Sequence, residues 1–198
     1  MSERIRVVGL GGSLAPASKS LAALKIALSA AAEAGADVEL FDIRALDLPL
    51  FRPGMGEAPP AARRWAEAAC EASGLLWSSP LYHGTISGSF KNALDWLHIL
   101  ADRDPPYLSD KVIGLISTAG GVQGLQAVNT MEFVVRALRG WAVPMVQPIP
   151  RAWEVFNADG SLRDPVVAEQ LRALGREVVR AARQLATSGE CDYSSARV

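Results

Sequence analysis

Three short segments of the chain collect the hydroxyl-bearing, glycine and aromatic residues that bind anions and planar rings. The first, Gly11-Gly12-Ser13-Leu14-Ala15-Pro16-Ala17-Ser18-Lys19-Ser20, joins an apolar run to an Ala/Leu-rich stretch. A strand-to-helix junction of this kind presents free backbone N–H groups and the positive end of the helix dipole. Ser13, Ser18 and Ser20 add hydroxyls and Lys19 adds an ammonium, a set that suits a phosphate monoester held by many hydrogen bonds. Ser18 or Ser20 also fits as a plain helix N-cap with no ligand.

The second segment, Pro80-Leu81-Tyr82-His83-Gly84-Thr85-Ile86-Ser87-Gly88, reads as a loop between a buried strand and a helix that Ser87 caps. Gly84 permits close backbone approach to a planar ligand, and Tyr82 and Thr85 offer an aromatic face and a hydroxyl. His83 has no acidic partner nearby in sequence and reads as a solvated loop side chain. The third segment, Ser117-Thr118-Ala119-Gly120-Gly121-Val122-Gln123-Gly124, repeats the logic with backbone donors that no side chain obstructs; its glycines serve equally to turn the chain.

Several other chemistries lack their residues. Counting GxGxxG from Gly9 and Gly11 puts Leu14 at the sixth position, although Asp42 stands where a ribose-binding acid would. No GK[ST] follows the glycines, and no Ser-His-Asp order or acidic pair supports hydrolysis. Cys70 and Cys191 lie far apart with no metal-ligand spacing, so neither a zinc site nor a disulfide framework is expected.

The elements that must position these segments alternate. Apolar strands are expected at 5–10, 38–43, 74–79 (stopped by Pro80), 111–118 and 143–149. Helices are expected at 20–34 with Gly35 closing it, at 61–73, from 88 to near 101, from 124 to about 140, and at 165–186. Residues 47–60 form a long Pro/Gly-rich loop. Five strands alternating with five helices argue for an open, parallel, doubly wound α/β sheet whose ligands bind beyond the carboxyl ends of the strands. The three segments lie at that edge.

A length of 198 residues fits one domain, over 1–187, with a flexible tail at 188–198. Twenty basic against twenty-one acidic residues leave a net charge of −1, which argues against a nucleic-acid or anionic-lipid partner. No run approaches the roughly 20 apolar residues of a membrane span, and the start, MSERIRVVGLGGS, does not read as a signal sequence. A reducing cytoplasm is the expected location.

The segments GGSLAPASKS (11–20), SPLYHGTISGSFKNALDWL (79–97) and STAGGVQG (117–124) together resemble the flavodoxin-like NAD(P)H-dependent FMN reductases, a group related to FMN-dependent azoreductases, quinone reductases and chromate reductases. The resemblance implies a five-stranded sheet of order 2-1-3-4-5. It implies that Ser13, Ser18 and Ser20 bind the FMN phosphate, and that Pro80, Leu81, Tyr82, His83, Gly84 and Thr85 line the isoalloxazine. Ser117, Gly120, Gly121 and Val122 would complete the pocket. Members often carry arginine at the place of Ala15, asparagine at that of Ser20 and proline at that of Ser87; Lys19 is placed to make up the missing charge.

The implied activity is hydride transfer from NADPH or NADH to bound FMN and on to a small-molecule acceptor such as free flavin, a quinone, an azo compound or a metal oxyanion, with no obligatory acid–base side chain. The alternative is a flavodoxin-type electron carrier, which is usually strongly acidic, unlike this chain. Apolar residues cover a wide arc of two helices: Phe90, Leu94, Leu97 and Ala101 with Trp96, Ile99 and Leu100, then Leu125, Val128, Val135 and Leu138 with Met131, Phe133 and Val134. That breadth points to a homodimer or homotetramer, or to long loops that cover the helices.

Overall fold

The computed structural model describes residues 4–54 and 56–188. In chain order the elements are β1 (Arg6–Gly11), α1 (Lys19–Glu33), β2 (Asp37–Asp42), α2 (Ile43–Leu46), α3 (Pro60–Glu71), β3 (Gly74–Tyr82), β4 (Thr85–Ile86) and α4 (Gly88–Asp95). A 3-10 turn (Trp96–Leu100) follows, then β5 (Val112–Thr118), α5 (Gly124–Ala137), β6 (Trp141–Ile149), α6 (Ala152–Val155) and α7 (Pro165–Ser188). The tail expected at 188–198 lies outside the described residues, apart from Ser188, where α7 ends.

The long strands run parallel in the order β2-β1-β3-β5-β6, and β4 pairs only with the end of β3. Without that short addition the order is 2-1-3-4-5, the flavodoxin-like arrangement. β1, β3 and β5 are almost wholly buried, as a sheet covered on both faces requires, while β2 at the edge leaves Val38 and Leu40 partly open. On one face α1 and α7 pack Leu24, Ala27 and Leu28 against Leu171, Leu174 and Val178. On the other, α3, α4 and α5 surround Trp65, Trp77, Phe90 and Met131.

Two expectations about β3 need correction. Pro80 does not stop the strand, which continues to Tyr82, with Pro80 in register with Thr118. β1 ends opposite Ser78, so Pro80 has a parallel neighbour on one side only, and its missing N–H costs the sheet little. The segment after it is a β-hairpin, not an open loop: Tyr82 pairs with Thr85, and the two residues between, His83 and Gly84, have φ of +50° and +82°. Positive φ at both central residues is what a tight I′-type hairpin turn demands.

The wide apolar arc of the fourth helix also has an internal explanation. The α-helix stops at Asp95 and tightens into the 3-10 turn, which brings Trp96, Leu97 and Leu100 into the core of this chain. The start of the long loop closes over them. Asn92 accepts from the Phe51 amide at 2.8 Å and donates to the Leu48 and Pro49 carbonyls, Trp96 Nε1 donates to Pro49 at 2.8 Å, and the Phe51 ring meets Trp96 edge-on. In α5 the situation differs, because Val128, Met131 and Val135 are buried but Leu125 and Phe133 are exposed.

α1 and α7 approach tightly at Gly175, where a Cβ would lie 2.0 Å from the Ala27 carbonyl oxygen. Backbone offers no rotamer to escape such an overlap, so even one methyl must push the helices apart. Gly175→Ala is expected to destabilise the protein by about 1–3 kcal/mol, seen as a lower urea midpoint at an unchanged m-value. An unchanged midpoint would show that the helices separate freely.

Candidate functional site

The C-terminal edge of the sheet is built outward from three buried hydroxyls. Ser78 on β3 donates to the Ser20 carbonyl at 2.8 Å, and the Ser20 hydroxyl meets that of Thr118, at the end of β5, at 2.6 Å. The first turn of α1 is thereby tied to two strands. Gly12 N–H donates to the Ser78 carbonyl at 3.2 Å and fixes the start of the loop in the same way. Ser18 is the N-cap, its hydroxyl accepting from Leu21 N–H at 3.3 Å. Ser13 is buried and accepts from Ala15 N–H at 3.3 Å. A hydroxyl that accepts from the backbone keeps its own proton for an outside acceptor.

Between these loops lies a cleft of about 230 Å³. Of the residues expected from sequence, Ser13, Ser18, Lys19, Ser20, Pro80, Leu81, Tyr82 and Gly120 line it. Six more residues join them: Ala15, Ala17, Thr118, Ala119, Ala152 and Trp153. The others are placed nearby. His83 and Gly84 form the exposed hairpin turn, Thr85 shares a 3.1 Å hydrogen bond with Thr130 on α5, and Gly121 and Val122 are exposed. Ser117 is fully buried and donates to the Gly124 carbonyl at 2.6 Å, holding the third loop closed from behind.

Ala152 and Trp153 were missed because the loop after β6 carries no glycine or hydroxyl signal. The rule that ligands sit beyond the carboxyl ends of such strands was enough to include it. Asp42 caps α2 by accepting from Arg44 N–H at 3.0 Å, so the carboxylate at the place of a ribose-binding acid serves the backbone. A second cavity, of about 300 Å³ and mostly apolar, lies under the long loop between Leu14, Ile43, Leu46, Leu48, Leu50 and Ala93. Among the described residues no cluster of His, Cys, Asp or Glu could hold a metal, and no helix is long and apolar enough to cross a membrane.

Residues 5–154 match the family model of the NADPH-dependent FMN reductases. The chain belongs to this family. It is 32% identical over 188 residues to an NADPH:quinone oxidoreductase of Arabidopsis thaliana, a match that covers 85% of this chain and 87% of that protein. It is 33% identical over 130 residues to an FMN-dependent NADPH-azoreductase of Staphylococcus aureus, covering 63% of this chain and 66% of the other. Among solved structures it is similar in fold to the flavoenzyme NAD(P)H:(acceptor) oxidoreductase FerB of Paracoccus denitrificans, with a TM-score of 0.72, 22% identity, and coverage of 91% and 98% of the two chains.

The cleft fits the cofactor that the family name implies. Ser13, Ser18, Lys19 and the N-terminus of the 15-residue α1 supply hydroxyl, ammonium and amide donors of the kind a phosphate dianion needs. Gly120 has open space where a Cβ would stand, so a flat ring can approach its backbone. Because Thr118 anchors the first turn of α1, Thr118→Val is expected to cost about 1–2 kcal/mol by leaving a buried hydroxyl unpaired, and to weaken FMN binding. Thr118→Ser should preserve both. Chemical denaturation and FMN titration of the two variants check this.

Proposed function

We propose that the chain is an NADPH-oxidising, FMN-containing reductase whose acceptors are planar and largely apolar, with quinones the first class to test. The observation that carries the reading is the meeting of Ser13, Ser18 and Lys19 with Tyr82 and Gly120 in one cleft of a chain matched over most of its length by the reductase family. When bound there, FMN supplies the redox chemistry, taking hydride from NADPH and giving reducing equivalents to the acceptor.

The protein's contribution is placement. Ser13, Ser18, Lys19 and the α1 N-terminus hold the phosphate, and Pro80, Leu81 and Tyr82 form one wall for the ring. His83 and Gly84 matter through the left-handed backbone that closes the hairpin beside it. Ser20 and Ser117 support the loops from behind, and Thr85, Gly121 and Val122 complete the rim. No side chain is asked to act as acid or base. The apolar cavity beside Leu14 and Leu50 supports an apolar acceptor over a metal oxyanion. In this reading NADPH and acceptor take turns at the open face of the same cleft, in a reducing cytoplasm that supplies NADPH. The near-neutral charge argues against a flavodoxin-type carrier.

Rapid mixing with NADPH under anaerobic conditions should bleach the flavin absorbance, and a quinone should restore it faster than chromate does. Absence of bleaching would favour the electron carrier and end the reductase reading.

The same reading has two copies of the chain paired through α5. Leu125 and Phe133 are 51% and 72% exposed, two turns apart on one face with Asn129 between them. A two-fold pairing would bury that face and bring the copies together beside the β3–β4 hairpin. Light scattering should give a dimer mass for the native protein and a monomer mass for Phe133→Glu; a monomeric native protein would rule the pairing out.

A further inference from the structure

We propose that Trp153 is a positioning residue for the cofactor: with Arg151 and Ala152 it holds the third loop in the orientation that presents amide N–H groups to the flavin. The inference rests on the flavin reading above and concerns how the loop comes to be a donor. Immediately after β6, Arg151 adopts a left-handed conformation, φ 43° and ψ 49°. A non-glycine residue is held there only where its surroundings demand it. The demand is visible in what the turn achieves. Arg151 N–H donates to the Gly121 carbonyl at 2.9 Å, Ala152 N–H to the Ala119 carbonyl at 2.8 Å, and Trp153 Nε1–H to the Gly120 carbonyl at 3.3 Å. Three successive carbonyls of the loop are thus drawn toward one short segment.

Peptide planarity turns this into a statement about donors. In a trans peptide the carbonyl of one residue and the N–H of the next point in opposite directions. Drawing the carbonyls of Ala119, Gly120 and Gly121 toward 151–153 therefore aims the N–H groups of Gly120, Gly121 and Val122 away from it. Gly120 lines the cleft and has open space before it. Donors fixed in advance at a site where negative charge grows on reduction favour the reduced cofactor without having to reorganise. Of the three bonds, the one from Trp153 alone comes from a side chain, and the residue is 60% exposed at the lip of the cleft. It can be removed with the backbone and the fold left in place.

The test compares native protein with Trp153→Phe, which keeps an aromatic wall and loses the N–H. Amide hydrogen exchange of Arg151 and Ala152, whose N–H groups are bonded to the Gly121 and Ala119 carbonyls of the loop, should accelerate in the variant apoprotein. The Kd for FMN should rise about threefold to tenfold, the range set by one neutral hydrogen bond. The reduction potential of bound FMN should fall, while the melting temperature of the apoprotein stays unchanged. Native-like exchange, Kd and potential in the variant would overturn the proposal, as would a loss of affinity matched by a general loss of stability. Native protein that takes up no FMN at all would instead overturn the flavin reading, and this inference with it.

Discussion

The hydrogen bond between the buried hydroxyls of Ser20 and Thr118 joins residues 98 positions apart, and the functional edge of the molecule depends on it. It fixes the first turn of α1 to the end of β5, while the Ser78 hydroxyl fixes the same turn to β3. A helix N-terminus attracts an anion only over the length of about one turn. Its value to a ligand is therefore decided by where that turn is held. Here it is held by groups with little exposure to solvent, in surroundings where each such bond is strong and each loss is expensive. The loop at 11–20 can consist mostly of small residues because its geometry is imposed from beneath.

The rest of the edge follows the same division between rigid support and open rim. Ser117 closes the third loop from behind, and Ser87 caps α4 by accepting from Phe90 N–H at 3.2 Å. The long loop is fastened where it matters, by Asn92 and Trp96, so the apolar cavity near Leu14 and Leu48 has a defined wall. Exposed residues such as Tyr82, Val122 and Leu50 stand on these supports and are free to meet whatever enters. Glycines supply close approach, hydroxyls supply donors, and little net charge is involved anywhere. Such a lining is of the kind that takes flat, weakly charged rings by shape, in keeping with the ligand proposed above.

Much of this was legible in the sequence. Strands 74–79 and 111–118 were apparent because buried parallel strands are unbroken apolar runs, and α7 because Leu171, Leu174, Val178 and Ala182 recur at helical spacing. That Ser13, Ser18 and Lys19 line a cleft was readable from their place on a strand-to-helix junction. The hairpin at 82–85 was hidden because its turn is His83-Gly84, without the asparagine or aspartate that usually marks positive φ at the first position. Trp96 and Leu100 looked surplus to a single helix face because periodicity carries no information about a distant loop folding onto them. Trp153 was silent for a related reason: its role comes from one hydrogen bond to a residue 33 positions away.

The packing of Gly175 on Ala27 carries a consequence for the order in which the protein comes into being. The alanine-rich inner face of α1, with Ala23, Ala27 and Ala31, is covered by α7, which is synthesised after every other described element. Until that segment has emerged, α1 lacks one of its packing faces, and its first turn rests on the Ser20 and Ser78 bonds without support from behind. A nascent chain truncated before residue 175 would hold Ser13, Ser18 and Lys19 in sequence and yet lack the buttress behind α1. The cofactor can then be captured only by chains in which α1 and α7 have met.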